Sequence, residues 1–304
     1  MIKYLKKSLK DEKVQKLDDY EDDCWINVID PSHKEIDHLV EKFDLDKNNL
    51  ASGLDPHEIP RVDFIGEDTY IYIKIPPKHL GRNLSTFLIV IKDKFILTLA
   101  KHELGSVRDI LYDESGHFYT TQKMKFLLHL LSLNNADFES RTLEIVRNVE
   151  TRTNLTRELS EKDINNLIRY EYILNSFVSS YSYTNFMYNK IIHRLGFFEK
   201  DKDILEELII DTEEGENICK TSLKNISNIR NYSIITLTSK LNRLISTLTV
   251  LTVFLSVIAA VSGIYGMNVA VPFQSHPDAF FGIVIFTIIT CVGFMMYLKK
   301  KKIL

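Results

Sequence analysis

Asn242, Ile245, Thr249, Thr252, Ser256, Ala259 and Gly263 recur at alternating steps of three and four residues. On a helix that period lays them along one seam. The seam is mostly small or hydroxylated. The other faces carry Leu244, Val250, Leu251, Val253, Phe254, Leu255, Val257 and Ile258. Gly266-Met267-Asn268 follows directly. These groups are neutral oxygen donors and acceptors, not acids, bases or nucleophiles. A hard divalent cation such as Mg2+ holds its water shell tightly and sheds it reluctantly. A wide ring of amide and hydroxyl oxygens can hydrogen-bond that water without stripping it. Such sites bind strongly enough to admit an ion and weakly enough to release it. The same small residues also suit close packing between membrane helices. The stripe alone leaves both readings open.

The elements that must position these residues are two apolar runs. The first extends from about Leu244 to Met267 and the second from Ala279 to Leu298. Between Leu244 and Leu298 the only formally charged side chain is Asp278. A membrane-spanning helix needs about 20 consecutive apolar residues, so each run is long enough. Lys240 and Arg243 precede the first run, Lys299 to Lys302 follow the second, and the loop between carries neither Lys nor Arg. Positive charge on both flanks places both termini in the cytoplasm and the loop outside. The expectation is an integral protein of the cell membrane, in contact with lipid.

Upstream, the chain reads as a cytoplasmic α+β domain with a long helical stalk leading into the two-helix hairpin. Trp25 to Ile29 reads as a strand closed by Asp30-Pro31. Ser32, with Glu35 three residues on, predicts a capped helix from His33 to Phe43. Thr69 to Ile75 alternates as a strand, and two further strands, Thr86 to Ile91 and Phe95 to Leu99, flank a short Lys92-Asp93-Lys94 turn. From Thr120 to about Leu195 the spacing of Phe126, Leu127, Leu130 and Leu131 turns helical. Asn134-Asn135 reads as a wobble or a break. The aromatic-rich stretch from Asn165 to Tyr188 reads as core of a helical hairpin. From Asp201 a last helix runs to Gly263, passing Gly215. Its length would be on the order of 90 Å, joining the cytoplasmic domain to the membrane mechanically. The divisions are 1–118 (α/β domain), 119–200 (helical hairpin), 201–243 (stalk), 244–268 (first span), 269–278 (outer loop), 279–298 (second span) and 299–304 (basic tail).

Several function classes fall away. The formal net charge of −3 gives no reason to expect a nucleic-acid partner. Cys24, Cys219 and Cys291 form neither a disulfide framework nor a zinc spacing, and read as small buried thiols. The lysine-rich N-terminus has no apolar core and is not a signal peptide. Walker A, HExxH and nucleophile-elbow patterns are all missing, so an enzyme is not expected and no cofactor is implied.

Tyr265-Gly266-Met267-Asn268, after a long helix and before a last short span, resembles the CorA family of divalent-metal transporters. Leu54-Asp55-Pro56-His57-Glu58-Ile59-Pro60-Arg61-Val62 and Arg230-Asn231-Tyr232-Ser233 resemble the family as well. The resemblance implies a homopentameric funnel with five first spans around one pore. It implies Mg2+ as substrate, with Co2+ or Ni2+ also passing. Asn268 would form the outer ring, with Gly266 and Met267 shaping the turn that presents it. Asn242 would form a ring at the cytoplasmic end, and Ile245 and Leu248 an apolar gate. Three departures stand out. Asp278 is the only acid in the outer loop, where the family often has an acidic motif. Asn231 stands where an acid would be expected at the inner mouth. The family's inter-subunit acidic pair, which senses cytoplasmic Mg2+, has no clean counterpart.

A sensor can be read from the stalk instead. Asp203, Glu207, Asp211 and Glu214 fall at i, i+4, i+8 and i+11. Like charges at this spacing repel, and Mg2+ shared with a neighbouring subunit would relieve the repulsion. Bound mainly to the closed state, it would bias the pore shut. A solvated acidic face is the plainer reading. Two alternatives keep the membrane hairpin. One is Zn2+ transport by a ZntB-like relative, although Zn2+ favours nitrogen and sulfur ligands and the seam has neither. The other is a non-conducting membrane-anchored sensor, which would need only apolar residues in its spans.

Overall fold

Within the first hundred positions, β-branched and aromatic residues cluster in short runs, and these runs build one sheet. The computed structural model describes all residues except 78–82, 103–117, 154–158, 270, 273–275 and 301–304. Its strands are β1 Ile2–Lys6, β2 Gln15–Leu17, β3 Cys24–Ile29, β4 Arg61–Ile65, β5 Asp68–Ile75, β6 Ser85–Ile91 and β7 Phe95–Ala100. Their order is β2-β1-β3-β7-β6-β5-β4. β3 and β7 run parallel, with Trp25 opposite Ile96 and Asn27 opposite Thr98. The remaining neighbours are antiparallel.

Both faces of the sheet are covered, which is why β6 reads as an unbroken apolar run. One face presents Ile26, Leu88, Val90 and Leu97 to Leu39 and Phe43 of α1 (His33–Phe43) and to Leu50 of α2 (Lys47–Leu54). Ser32 and Glu35 form the expected capping box on α1. The other face presents Trp25, Ile71, Ile89 and Ile96 to three longer helices. These are α3 Lys123–Thr153, α4 Glu161–Arg194 and α5 Glu199–Tyr265. They contribute Phe126 and Leu131, Met187 and Ile191, and Leu205 and Leu208 respectively.

Asn134-Asn135 does not interrupt α3. Asn135 turns its amide inward, and Nδ2 donates to the Leu208 carbonyl at 3.2 Å. Phe177, Tyr181 and Tyr188 of α4 are buried as expected, but Tyr172, Tyr183 and Phe186 are exposed. Aromatic density does not by itself say which side of a helix is inside.

α5 is 67 residues long and continues past both Gly215 and Gly263. A single interior glycine costs about 1 kcal/mol, too little to end a helix of this length. α6 spans Ala279–Lys300. Among the described residues, α5 and α6 contain the two segments long and apolar enough to cross a membrane. Cys24, Cys219 and Cys291 are free and buried. The chain divides into two units, Met1–Asn228 and Ile229–Leu304, with α5 contributing to both.

Candidate functional site

The seam belongs wholly to the second unit. Asn242, Ile245, Leu248, Thr249, Thr252, Ser256, Ala259 and Gly263 are all exposed there. The partly covered row on α5 is a different one, Ser246, Val250, Val253, Val257 and Val261. It lies one residue, about 100°, round the helix from the seam. On α6 the least exposed positions are Ile283, Thr287 and Cys291, one i,i+4 row. The polar seam is therefore not the face that this hairpin covers. The valine row was visible in the sequence as a second period of three and four, but had no reading of its own.

The seam hydroxyls have a common geometry. Thr249 Oγ1 donates to the Ile245 carbonyl at 2.8 Å, Thr252 Oγ1 to Leu248 at 2.9 Å and Ser256 Oγ to Thr252 at 2.8 Å. Each hydroxyl spends its single proton on the turn below it and keeps lone pairs for an outside partner. Waters bound to a cation point their oxygens at the metal and their protons outward. A row of oxygens that can only accept is the matching surface.

At the end of α5 the helix closes tightly. Gly266 N donates to the Ser262 carbonyl at 2.9 Å, and Met267 N to Ile264 at 3.4 Å. A Cβ on Gly266 would lie 3.1 Å from the Ser262 oxygen. Met267 and Asn268 follow outside the helix and are exposed. Asp278 is exposed just before α6, where its carbonyl accepts from Gly282 N at 3.2 Å. A carboxylate at a helix N-terminus is favoured by the helix dipole, so Asp278 has a structural use independent of ions. Other parts of the loop and most of the basic tail lie outside the described residues.

The acids Asp203, Glu207, Asp211 and Glu214 belong to the first unit, and all four are exposed on α5. Asp211 and Glu214 line a small cavity of about 70 Å³ together with Glu139 of α3, which the sequence had not suggested. Asp203 and Glu207 do not line it. Among the described residues, no group of three or more His, Cys, Asp and Glu side chains is placed to hold a metal within one chain.

The fold has close solved counterparts. The complete structure of the CorA magnesium transporter from Methanocaldococcus jannaschii matches with a TM-score of 0.84 and 19% identity, covering 98% of this chain and 97% of that one. The full-length CmaX protein matches with a TM-score of 0.78 and 15% identity, over 99% and 97% of the two chains. The cytoplasmic domain of ZntB from Vibrio parahaemolyticus matches with a TM-score of 0.63 and 8% identity, covering 78% of this chain and 98% of that domain. In sequence, the cobalt/magnesium transport protein CorA of M. jannaschii is 23% identical over 288 residues, spanning 91% of this chain and 90% of that protein. The family model described as CorA-like Mg2+ transporter protein matches residues 20–300, and the chain belongs to that family.

Proposed function

We propose that this protein carries divalent cations, Mg2+ foremost with Co2+ or Ni2+ also passing, across the cell membrane through a pore lined by copies of the α5 seam. The observation that carries this reading is the uncovered seam of acceptor-only oxygens. A lone hairpin has no use for such a surface. In a ring of identical chains, a pentamer by family resemblance, it becomes the wall of a central pathway, with α6 outside it against lipid. Both termini are cytoplasmic, in keeping with the flanking lysines.

In this reading the hydrated ion meets Asn268 first. Its amide is held just beyond the tight end of α5, with Gly266 and Met267 fixing the turn. Neutral rings at Ser256, Thr252 and Thr249 then accept protons from the ion's waters, and Ala259 and Gly263 leave width for the shell. Ile245 and Leu248 form an apolar constriction, and Asn242 the inner ring. Asp203, Glu207, Asp211 and Glu214 serve as the regulatory face, where internal Mg2+ shared between neighbouring subunits holds the pore shut.

The test is flux into liposomes with Mg2+, Co2+ and Zn2+, comparing the wild type with Asn268→Ala. The variant should lose most Mg2+ flux, and cobalt hexammine should block the wild type from the loop side. Equal flux in both proteins would remove the selectivity role of Asn268. Absence of flux in the wild type would remove the transport reading itself.

A further inference from the structure

We propose that the groove between β4 and the last turns of α4 binds the phosphoryl group of a small anionic ligand. The cavity there is about 610 Å³, in the range of small-molecule sites, and is lined from the strand by Asp63 and Phe64 and from the helix by Phe186, Lys190, His193 and Arg194. It lies wholly within the first unit.

The cations in this groove are positioned but not neutralised. Lys190 Nζ sits 4.6 Å from the centre of the Phe186 ring, and the Arg194 guanidinium 4.9 Å from that of Phe64. Among the described residues neither makes an ion pair with a carboxylate. A ring face attracts a cation but accepts no conventional hydrogen bond through a lone pair. The N–H donors of both groups thus remain to be used. Among the described residues the one acid in the lining, Asp63, already accepts from Arg61 Nε at 2.7 Å, so it does not cancel them.

The helix dipole offers a simpler account of basic residues at this end of α4. A helix C-terminus carries roughly half a negative charge and attracts Lys, Arg and His. That explains His193 and Arg194 in the last turn. It does not explain why two aromatic side chains, one from the sheet and one from the helix, hold the two cations beside a common cavity. Two full positive charges also outweigh the half charge of the helix end. A phosphoryl group presents three acceptor oxygens and two negative charges, which suits a guanidinium fork, an ammonium and an imidazole N–H at once.

The test is calorimetric titration of inorganic pyrophosphate and, separately, ADP into the full-length protein in detergent, without divalent cations and at about 0.15 M salt to screen nonspecific attraction. Both ligands should bind the wild type. Lys190→Gln and Arg194→Gln should each weaken binding about tenfold or more, the scale of one lost charge-assisted hydrogen bond. Arg194→Lys should fall between, keeping charge but losing the fork. Equal affinities for the two ligands would assign the site to the phosphoryl group alone. Tighter ADP binding that Phe186→Ala abolishes would assign it to a nucleotide. Failure of both ligands to bind, or unchanged affinity in Lys190→Gln and Arg194→Gln, would overturn the proposal. The measurement reads no ion flux, so its outcome is independent of the transport reading.

Discussion

Tyr181 of α4 occupies the space that a side chain at Gly215 of α5 would need. A Cβ on Gly215 would lie 2.4 Å from Tyr181 Cζ and 2.7 Å from its hydroxyl oxygen. The same hydroxyl lies 3.1 Å from Thr142 Oγ1 of α3, so three helices meet at this point. Gly215 is kept for close approach, not as a helix break.

Gly215→Ala should therefore destabilise the protein. On propensity alone, alanine would gain about 1 kcal/mol in a helix. Forcing a methyl group into a packed crossing costs about 1–3 kcal/mol, and the contact here is severe enough for the cost to win. A lowered melting temperature is the expected result. In a Tyr181→Leu background the substitution should become neutral or stabilising. If both backgrounds respond alike, the clash is not the cause.

Cys219 lies beside that crossing, with Sγ 3.8 Å from Thr142 Oγ1. Burial pushes its thiol up to about 12. The folded thiol therefore resists ionisation that the unfolded chain permits near pH 8.5. Its contribution to stability is present below the unfolded value and is lost as pH rises towards 12. Maleimide at pH 8 should leave Cys219 unlabelled in the native protein and modify it in denaturant, as read by peptide mass spectrometry.

The sheet has a polar chain of its own. Trp25 Nε1 donates to Thr98 Oγ1 at 2.8 Å, and that hydroxyl donates to Asn27 Oδ1 at 3.1 Å. Trp25 and Thr98 are fully buried. Thr98→Val keeps the shape but strands the indole N–H and leaves the Asn27 oxygen without its donor. A loss of about 2 kcal/mol or more is expected, since a buried unpaired polar group costs about 1–3 kcal/mol. Trp25 is the only tryptophan, so its fluorescence reports denaturant unfolding of this sheet directly.

How far these features could be read from the sequence depends on how local their cause is. The cap on α1 was legible because Ser32 and Glu35 satisfy each other within one turn. The two apolar segments were legible because membrane thickness fixes their length. β1 and β2 were not. They lie at one end of the sheet, and their lysines and glutamine blur the alternation, as charged residues on edge strands commonly do. Asn135 was ambiguous for a related reason: it looks like a helix breaker, but its partner, Leu208, is far away in sequence. The helix was expected to pass Gly215, but the reason for a glycine there was hidden, because Tyr181, which fills the space, is also distant in sequence. At the candidate site, the seam and the Gly-Met-Asn turn were visible. The separation of the seam from the covered valine row was not, because it requires knowing which face α6 leaves open.

Gly266→Ala provides the sharpest test of how the turn serves Asn268. The added Cβ would stand 3.1 Å from the Ser262 carbonyl, and Gly266 N donates to that same oxygen. A contact this tight is relieved only by a shift of a few tenths of an ångström. The nearest atom is helix backbone, not the flexible tip of a side chain, so the turn itself must open. Asn268, two residues on, would move with it. Little of the packed first unit is affected, because the substitution lies in the second. Mg2+ flux should fall by about tenfold, the scale on which residues that merely position metal-contacting groups usually act, while the melting temperature stays near that of the wild type. Flux equal to wild type would mean that Asn268 does not depend on this turn. A matching fall in stability would mean that the glycine serves the fold instead.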